Sequence, residues 1–381
     1  VRGTLDGSIK SIRPNLNLQT SFGDLAIKGF LDNPTDKINA RYDLTLNTSG
    51  LVLDRIMEDT TFGNVAGEVS VKGRGFDPQT LQADVAATLR EAGFKGYAYN
   101  DINLLGSMDH GEVKANLESH DPNIDLDTDL SFLYTSKLQN IKVKSDIRQL
   151  DLHALGFMDS SFSAKGKIDI DFPVFDSGHI EGKGLLNDIY LSFGNKTYYL
   201  DTFDVNAHYE LDSQYIKLKS TLIDAEMKGQ FSLQAIPGAT ETIIENWLVT
   251  SGETKPFDQS LYAELHANVH IPDSLAAVIP GLKKVSPFSI VGGIDTKTNL
   301  LVLLTNIKEI EYGDYHFDSA RISLLKTDTM AKFNKAQFQV EFRKMSSPSV
   351  QLNWSRLRGQ IEKGVVETRL MLYDENNKPR Y

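Results

Sequence analysis

The sequence contains no cysteine among its 381 residues. This absence excludes a disulfide framework, cysteine-based zinc sites, iron–sulfur clusters and a thiol nucleophile. It leaves the cellular compartment open, because proteins without cysteine occur in both reducing and oxidising environments.

The sequence also lacks a long apolar run and an excess of basic charge. The longest apolar candidate, Leu300 to Leu304, has the length of a strand, whereas a membrane-spanning helix needs roughly 18–20 apolar residues. The formal net charge of −11 argues against a general affinity for nucleic-acid phosphates. The hydrophobic share of 40% and the charged share of 24% are typical of a folded protein.

The dominant feature of the sequence is a regular alternation of apolar and polar residues. Tyr42, Leu44 and Leu46, for example, are separated by Asp43 and Thr45. Roughly 20 segments repeat this pattern at irregular spacing, with Gly, Asn-Pro and Asp-Pro turns between them. Because successive side chains of a strand point to opposite faces, each segment is predicted to be a half-buried strand. The sequence therefore predicts an all-β protein.

The apolar faces of about 20 strands must be shielded from water, and four kinds of architecture could do this. A sandwich or a closed barrel holds fewer strands, and a propeller or solenoid has a fixed repeat length that the sequence lacks. A membrane barrel needs aromatic girdles, which the pattern does not show. The interpretation that fits best is an elongated, U-shaped antiparallel β-sheet, with an apolar interior, a charged face in water and one or two short helices.

Two stretches break the alternation and predict these helices. Residues 238–251 carry four apolar side chains at helical spacing, with Thr240 as the predicted N-cap. A shorter helical turn is predicted from Leu275 to Ile279. The first helix covers apolar surface, either as a plug or gate of the groove or as a packed excursion between strands. Its candidate plug residues are Ile243, Ile244, Trp247 and Leu248.

The chain is expected to be an internal fragment of a longer protein, because the strand pattern is already under way at Val1 and a turn precedes Tyr381. Three segments are predicted within it, or one continuous domain containing all three. They are a repetitive β-groove segment over residues 1–235, a helix-containing excursion with a strand over 236–282, and a continuing β-groove segment over 283–381.

Several short runs resemble the middle part of proteins of the TamB family (translocation and assembly module subunit TamB, AsmA-like superfamily) of the Bacteroides type. One further run, Ile147–Leu155, resembles units that recur across TamB and AsmA-like proteins. The likeness is clear over residues 1–235 and diffuse beyond them. The runs that carry it are residues 7–29, Thr61–Asn64, Val71–Pro78, Ala92–Asn100 and His120–Leu126.

The resemblance implies a specific setting. Proteins of this family are anchored in the inner membrane, cross the periplasm of Gram-negative bacteria as a taco-shaped β-sheet, and meet a TamA-like barrel partner in the outer membrane. They are linked to lipid transport and to outer membrane biogenesis. Neither the membrane anchor nor the barrel-docking domain is recognisable in this sequence, so both contacts are expected through regions absent here.

The resemblance and the alternation together predict a bridge segment that conducts phospholipids, with acyl chains in a hydrophobic groove. The alternatives are a scaffold or chaperone that assembles outer-membrane proteins or autotransporters through β-strand pairing, and a structural spacer with a filled core. The candidate groove-lining residues are Leu44, Leu46, Val113, Leu117, Ile141, Val143, Ile168, Ile170, Ile216, Leu218, Phe231 and Leu233.

No enzyme signature accompanies the pattern. The sequence contains no Gly-x-Ser-x-Gly elbow, HExxH motif or Walker motif, so neither catalysis nor a cofactor is expected. Asp125, Asp127 and Asp129 are spaced like the start of a calcium loop, but Leu130 stands where that loop requires glycine. These acids are therefore predicted to form the solvent face of a strand, and no metal site is expected.

Overall fold

The computed structural model describes residues 2–135, 137–176, 178–248, 255–257, 260–276, 279–326, 335–362 and 364–380. Within these residues the chain forms 24 strands and three short helices. The first twelve strands are β1 (Arg2–Ser8), β2 (Ser11–Thr20), β3 (Gly23–Asp32), β4 (Arg41–Val52), β5 (Phe62–Arg74), β6 (Gln82–Phe94), β7 (Tyr97–Asp109), β8 (Glu112–Asp121), β9 (Ile124–Tyr134), β10 (Leu138–Asp151), β11 (Phe162–Asp176) and β12 (His179–Phe193).

The later strands follow the same scheme, with one helix near the start of the chain and two beyond its middle. These strands are β13 (Lys196–Glu210), β14 (Ser213–Ser220), β15 (Ile223–Gln230), β16 (Tyr262–Val269), β17 (Leu282–Val285), β18 (Phe288–Asp295), β19 (Leu300–Ile307), β20 (Ile310–Tyr312), β21 (Tyr315–Lys326), β22 (Lys335–Ser346), β23 (Gln351–Glu362) and β24 (Val365–Tyr373). The helices are α1 (Leu53–Met57), α2 (Ile236–Leu248) and α3 (Asp273–Ala276).

The strands belong to one open antiparallel sheet in which hairpin-connected neighbours pair in chain order. Two exceptions lie in the second half, where β16 pairs with β18 and β19 pairs with β21. The short strands β17 and β20 pair with each other, and β20 also pairs with β21. Among the described residues, β1 pairs only with β2 and β24 pairs in the sheet only with β23, so the sheet does not close into a barrel. The predicted all-β antiparallel architecture is confirmed, and its bending into a U stays a prediction.

The chain divides into two compact units. The first unit contains Val1–Asp176 and Gly184–Asp201, and the second contains Ser177–Lys183 and Thr202–Tyr381. The predicted segment boundaries at residues 235 and 282 remain predictions. They come from the strand and helix pattern of the sequence, whereas the two units are defined by compactness.

In the first unit the strand registers align apolar residues across eight strands. Each strand from β4 to β11 contributes one residue to each of two rows, and we call these two rows the apolar lane. The first row is Leu44, Val71, Val85, Gly106, Ala115, Leu130, Val143 and Ile170. The second row is Leu46, Val69, Ala87, Leu104, Leu117, Thr128, Ser145 and Ile168.

The opposite face of the same strands is charged. Because the side-chain period of a strand is two, residues adjacent to the lane positions point away from it. One row of this charged face is Asp43, Lys72, Asp84, Ser107, Lys114, Ser131, Lys142 and Asp171. Opposite charges face each other across neighbouring strands, and Lys142 Nζ lies 3.1 Å from Asp171 Oδ2.

In the second unit α2 packs on the sheet and completes a buried core. Its residues Ile243 and Trp247 pack against side chains of four strands, β16, β18, β22 and β23. The fully assembled cluster is Phe231, Ile243, Trp247, Leu261, Ala263, Ile294, Ala336 and Ile361.

The helix boundaries correct the sequence-based expectations. Helix α2 begins at Ile236, so Thr240 is an interior residue and its predicted role as N-cap is wrong. The Thr240 hydroxyl donates to the Ile236 carbonyl oxygen at 2.9 Å, one turn earlier, as interior threonines commonly do. Residues 249–251 and 277–278 of the two predicted helices lie outside the described residues. Helix α1 was not predicted, because its five residues are too few to show a helical period.

Candidate functional site

The apolar lane is the continuous apolar surface of the first unit. Neighbouring strands lie about 4.8 Å apart, so eight strands give a lane of roughly 34 Å. Directly opposite side chains on neighbouring strands have Cβ atoms about 4.5–5.5 Å apart, which puts successive lane residues in contact. None of the lane positions carries an ionisable side chain. A hydrocarbon chain lying across the strands therefore meets an uncharged surface along the whole lane.

The predicted lining residues of the first unit fall on one face. Leu44, Val143 and Ile170 lie in the first row of the lane, and Leu46, Leu117 and Ile168 lie in the second. The remaining two, Val113 and Ile141, extend the same face, where Val113 pairs with Met108 and Phe132 and Ile141 pairs with Phe172.

The exposure of these side chains separates the lane from a packed core. All eight predicted lining residues of the first unit are half-buried. The core residues Ile243 and Trp247 of the second unit are in contrast 0% and 1% exposed. Side chains that only pack inside a protein approach these low values, so the lane keeps apolar surface that solvent or a ligand can reach.

Polar side chains inside the lane are paired with each other. Thr128 and Ser145 occupy adjacent positions of the second row, and their hydroxyl oxygens share a hydrogen bond of 2.7 Å. One hydroxyl donates and the other accepts, so the pair satisfies part of its hydrogen-bonding capacity within the lane. The buried Ser119 hydroxyl, two residues beyond Leu117, has no hydrogen-bond partner among the described residues.

A buried carboxylate lies on the lane side of the sheet at the end of β8. Asp121 continues the period of two from Leu117 and Ser119 and is 0% exposed. It accepts hydrogen bonds from the Tyr97 hydroxyl, from the Asn123 backbone N–H at 2.8 Å, and from the backbone N–H and side-chain amide of Asn100 at 2.9 and 3.1 Å.

These hydrogen bonds decide the charge state of Asp121. Burial raises the pKa of the carboxyl group, but the hydrogen bonds from Tyr97, Asn123 and Asn100 outweigh burial and hold the pKa below its ordinary value. The carboxylate is therefore charged at neutral pH, and it ties β7 to the turn between β8 and β9.

The connection between β10 and β11 packs at the same end of these strands. The Asp151 backbone N–H donates to the Asn123 carbonyl oxygen at 2.8 Å, next to the Asp121 network. Leu155 in this connection is 1% exposed, and the Lys95 ammonium group lies 4.9 Å from the centre of the Phe157 ring. The hydrogen bond holds the connection against the turn between β8 and β9, and the Lys95–Phe157 contact holds it against the turn between β6 and β7.

The charged face of the first unit contains a depression of about 970 Å³. Three consecutive residues of most of its strands line it, and the middle residue of each three, from Val71 on β5 to Ile170 on β11, belongs to the first row of the lane. Its alternating acids and lysines would have to lose their hydration to accept hydrocarbon, which makes it unsuitable for an acyl chain.

The acidic run of β9 lies on this charged face. Arg148 bridges two of its members, with its guanidinium nitrogens 2.6 Å from Asp125 Oδ1 and 2.8 Å from Asp127 Oδ2. These bonds lower the pKa values of both carboxyl groups. Asp129 instead accepts from the Asn116 side-chain amide at 3.0 Å. Each of the three carboxylates therefore accepts a hydrogen bond from a side chain on a neighbouring strand.

The predicted lining residues of the second unit behave differently from one another. Ile216 and Leu218 are half-buried in β14, and Ile216 packs against the core cluster. Strand β15 ends at Gln230, so Phe231 and Leu233 do not belong to a strand and their predicted alternation is wrong. Phe231 is a core residue, 6% exposed, whereas the Leu233 side chain is 46% exposed.

The candidate plug residues divide between the two sides of α2. Ile243 and Trp247 are buried, while Ile244 and Leu248 are 38% and 44% exposed. The Trp247 indole N–H donates to the Asn299 carbonyl oxygen at 3.1 Å, and the Asn246 side-chain amide donates to Asn299 Oδ1 at 3.1 Å. The helix is therefore bonded to the turn between β18 and β19 as well as packed on the sheet.

In the part of the chain that the structure describes, no helix combines the length and the apolar character needed to cross a membrane. Comparison with protein-family models, with curated proteins and with solved structures gives no match.

Proposed function

We propose that the apolar lane binds the acyl chains of phospholipids and that the chain is a periplasmic bridge segment conducting them between the inner and outer membranes of a Gram-negative bacterium. The observation that carries the proposal is the register of β4 to β11, which aligns two uncharged rows across eight strands. All members of these rows are half-buried except Ala87 and Ser145, which are buried. The resemblance of the sequence to the TamB family supplies the setting, and no catalytic step is involved.

The dimensions of the lane suit this cargo. The hydrocarbon core of a bilayer is about 30 Å thick, so one acyl chain spans about 15 Å. The lane, roughly 34 Å long, exceeds that length about twofold. A chain could therefore advance from one strand to the next without leaving apolar surface, while an open side leaves its headgroup in water.

The expected binding free energy is also compatible with movement of the lipid along the lane. Shielding one methylene group from water contributes about 0.8 kcal/mol, so ten methylenes contribute about 8 kcal/mol. That value corresponds to a micromolar Kd, before the cost of immobilising the lipid is subtracted. Binding of this strength prevents escape into water but still permits exchange along the lane.

Two consecutive leucines of β7 give a matched test. Leu104 lies in the lane between Ala87 and Leu117, whereas Leu105 lies on the charged face between Ala86 and Asn116 and is 59% exposed. We expect Leu104→Asp to reduce copurifying phospholipid at least about tenfold, because an aspartate in the lane must lose hydration whenever an acyl chain covers it. Leu105→Asp makes the same chemical change on the other face and should leave lipid unchanged.

The measurement is native mass spectrometry with lipid extraction on the chain purified from bacterial cells. A photo-crosslinking residue at position 104 or 105 tests the same contrast without adding a charge, and only position 104 should form a lipid adduct. Equal lipid loss in both variants, or a wild-type chain that is lipid-free and cannot be loaded with phospholipid, would contradict the proposal.

A second candidate function is the guidance of client β-strands, and the edge strand β24 favours it. Among the described strands only β23 pairs with β24 along its length, and Val365, Val366 and Leu370 are 57%, 47% and 53% exposed. An edge with free backbone groups and apolar side chains can accept another strand. Crosslinks from β24 to unfolded outer-membrane proteins, together with a lipid-free lane, would favour this function.

A further inference from the structure

A cluster of potential metal ligands lies in the second unit at the hairpin of β20 and β21. One ligand atom from each of Glu309, Glu311 and His316 lies within 4.8 Å of the other two, and all three residues are half-buried. None of these residues belongs to the apolar lane. In the part of the chain that the structure describes, no other group of three histidine or acidic side chains converges in this way.

The hairpin register builds this cluster. Glu311 on β20 is directly opposite His316 on β21, and Glu309 precedes Glu311 by two residues on the same side. Two hydrogen bonds with Ser286 hold the backbone at Glu309. Its N–H donates to the Ser286 hydroxyl at 2.9 Å, and its carbonyl oxygen accepts from the Ser286 N–H at 2.9 Å.

The orientation of the His316 ring is set by Asp318. Nε2 of His316 lies 3.0 Å from Asp318 Oδ1, and Lys344 Nζ lies 2.9 Å from Asp318 Oδ2. A carboxylate only accepts hydrogen bonds, so in the neutral ring it holds the proton on Nε2 and leaves a lone pair on Nδ1. Histidines that ligate metals commonly have such a carboxylate behind the ring.

The lone pair on Nδ1 faces a negatively charged group. Nδ1 lies 3.6 Å from Glu311 Oε1. With the ring neutral, these two atoms repel each other, and a cation bound by both would replace the repulsion with two favourable bonds. Lys284 Nζ lies 2.9 Å from Glu309 Oε2, so this carboxylate contacts a lysine as well as belonging to the cluster.

We propose that Glu309, Glu311 and His316 bind one Zn²⁺ ion, with Asp318 orienting the histidine. A histidine nitrogen with two carboxylates is a donor set that Zn²⁺ accepts at about 2.0–2.2 Å, usually with a fourth ligand such as water. Imidazole favours zinc over Mg²⁺ and Ca²⁺, which prefer oxygen ligands alone. The bound ion clips β20 to β21, and this role is independent of the function proposed for the lane.

The test is a zinc titration of the full 381-residue chain. At a free Zn²⁺ concentration about 100 times the Kd, we expect the Tm of the second unit to rise by about 5–10 °C. Native mass spectrometry should show one zinc ion per chain. The variants H316A and E311Q should abolish the shift, and D318N should weaken binding about 10–100-fold.

A matched control is His179, which also lies in the second unit and contacts one carboxylate, with Nε2 2.7 Å from Glu181 Oε1. H179A should keep both the zinc-dependent shift and the stoichiometry. Circular dichroism of each variant without zinc checks that the fold is retained. A wild-type chain without a zinc-dependent shift, or equal shifts in H316A and H179A, would overturn the proposal. So would equal stabilisation by Mg²⁺ or Ca²⁺.

Discussion

Replacing Trp247 with alanine is expected to lower the free energy of unfolding of the second unit by about 3–5 kcal/mol. The indole ring is 1% exposed and packs in the core cluster, so its removal leaves a cavity between α2 and the sheet. The change also removes the hydrogen bond from the indole N–H to the Asn299 carbonyl oxygen. Urea unfolding followed by circular dichroism measures the loss.

The neighbouring residue Leu248 provides the control for this prediction. It ends the same helix but is 44% exposed, so Leu248→Ala should change the free energy of unfolding by only about 0.5 kcal/mol. In the Trp247→Ala variant, Trp354 on β23 is the remaining tryptophan, and its fluorescence reports on the second unit directly. A loss below about 1 kcal/mol would mean that α2 contributes little to the core.

The two units use the same strand pattern in different ways. In the second unit α2 adds Ile243 and Trp247 to the sheet and excludes water from the cluster. The lane residues of the first unit, such as Leu44 and Val143, keep part of their surface accessible. Alternation along a strand gives an apolar face in both units, and what covers that face decides whether it becomes a core or a binding surface. The proposed acyl-chain site therefore rests on the first unit alone.

The strands could be predicted from the sequence because their cause is local. A period of two across a run such as Tyr42 to Leu46 is compatible with a half-buried strand and with little else. The same local signal is unreliable in short runs. Phe231 and Leu233 have the right spacing, but the strand ends before them, and three residues cannot distinguish a strand from a turn.

The register could not be predicted, because it depends on hairpin turns and long-range pairing. Leu104 and Leu105 are identical in type, and only the pairing of β7 with its neighbours places one of them in the lane. The Glu309–Glu311 and His316–Asp318 pairs have a local signal, since each is spaced by two residues on either side of a short turn. Recognising these two pairs as one cluster requires the position of the turn between β20 and β21, and the alternation of apolar and polar residues does not give that position.

Removing the carboxylate of Asp121 is expected to cost the first unit about 3–5 kcal/mol at pH 7. In Asp121→Ala, the Tyr97 hydroxyl and the N–H groups of Asn100 and Asn123 lose their shared acceptor in a site that is 0% exposed at Asp121. A buried donor without an acceptor costs about 1–3 kcal/mol, and several are affected at once. Asp129→Asn, a change on the exposed charged face, should cost only about 0.5 kcal/mol.

The isosteric variant Asp121→Asn separates the charge from the shape through its pH dependence. The pKa of Asp121 is lowered in the folded protein, so its charge adds stability above the pKa of an unfolded aspartate, about 3.9, and this stability is lost as the pH falls through the lower folded value. The difference in unfolding free energy between wild type and Asp121→Asn should therefore be constant from pH 7 to pH 5 and shrink below pH 4. Urea unfolding at each pH measures it. A difference that grows on acidification would show that burial, and not hydrogen bonding, controls this carboxyl group.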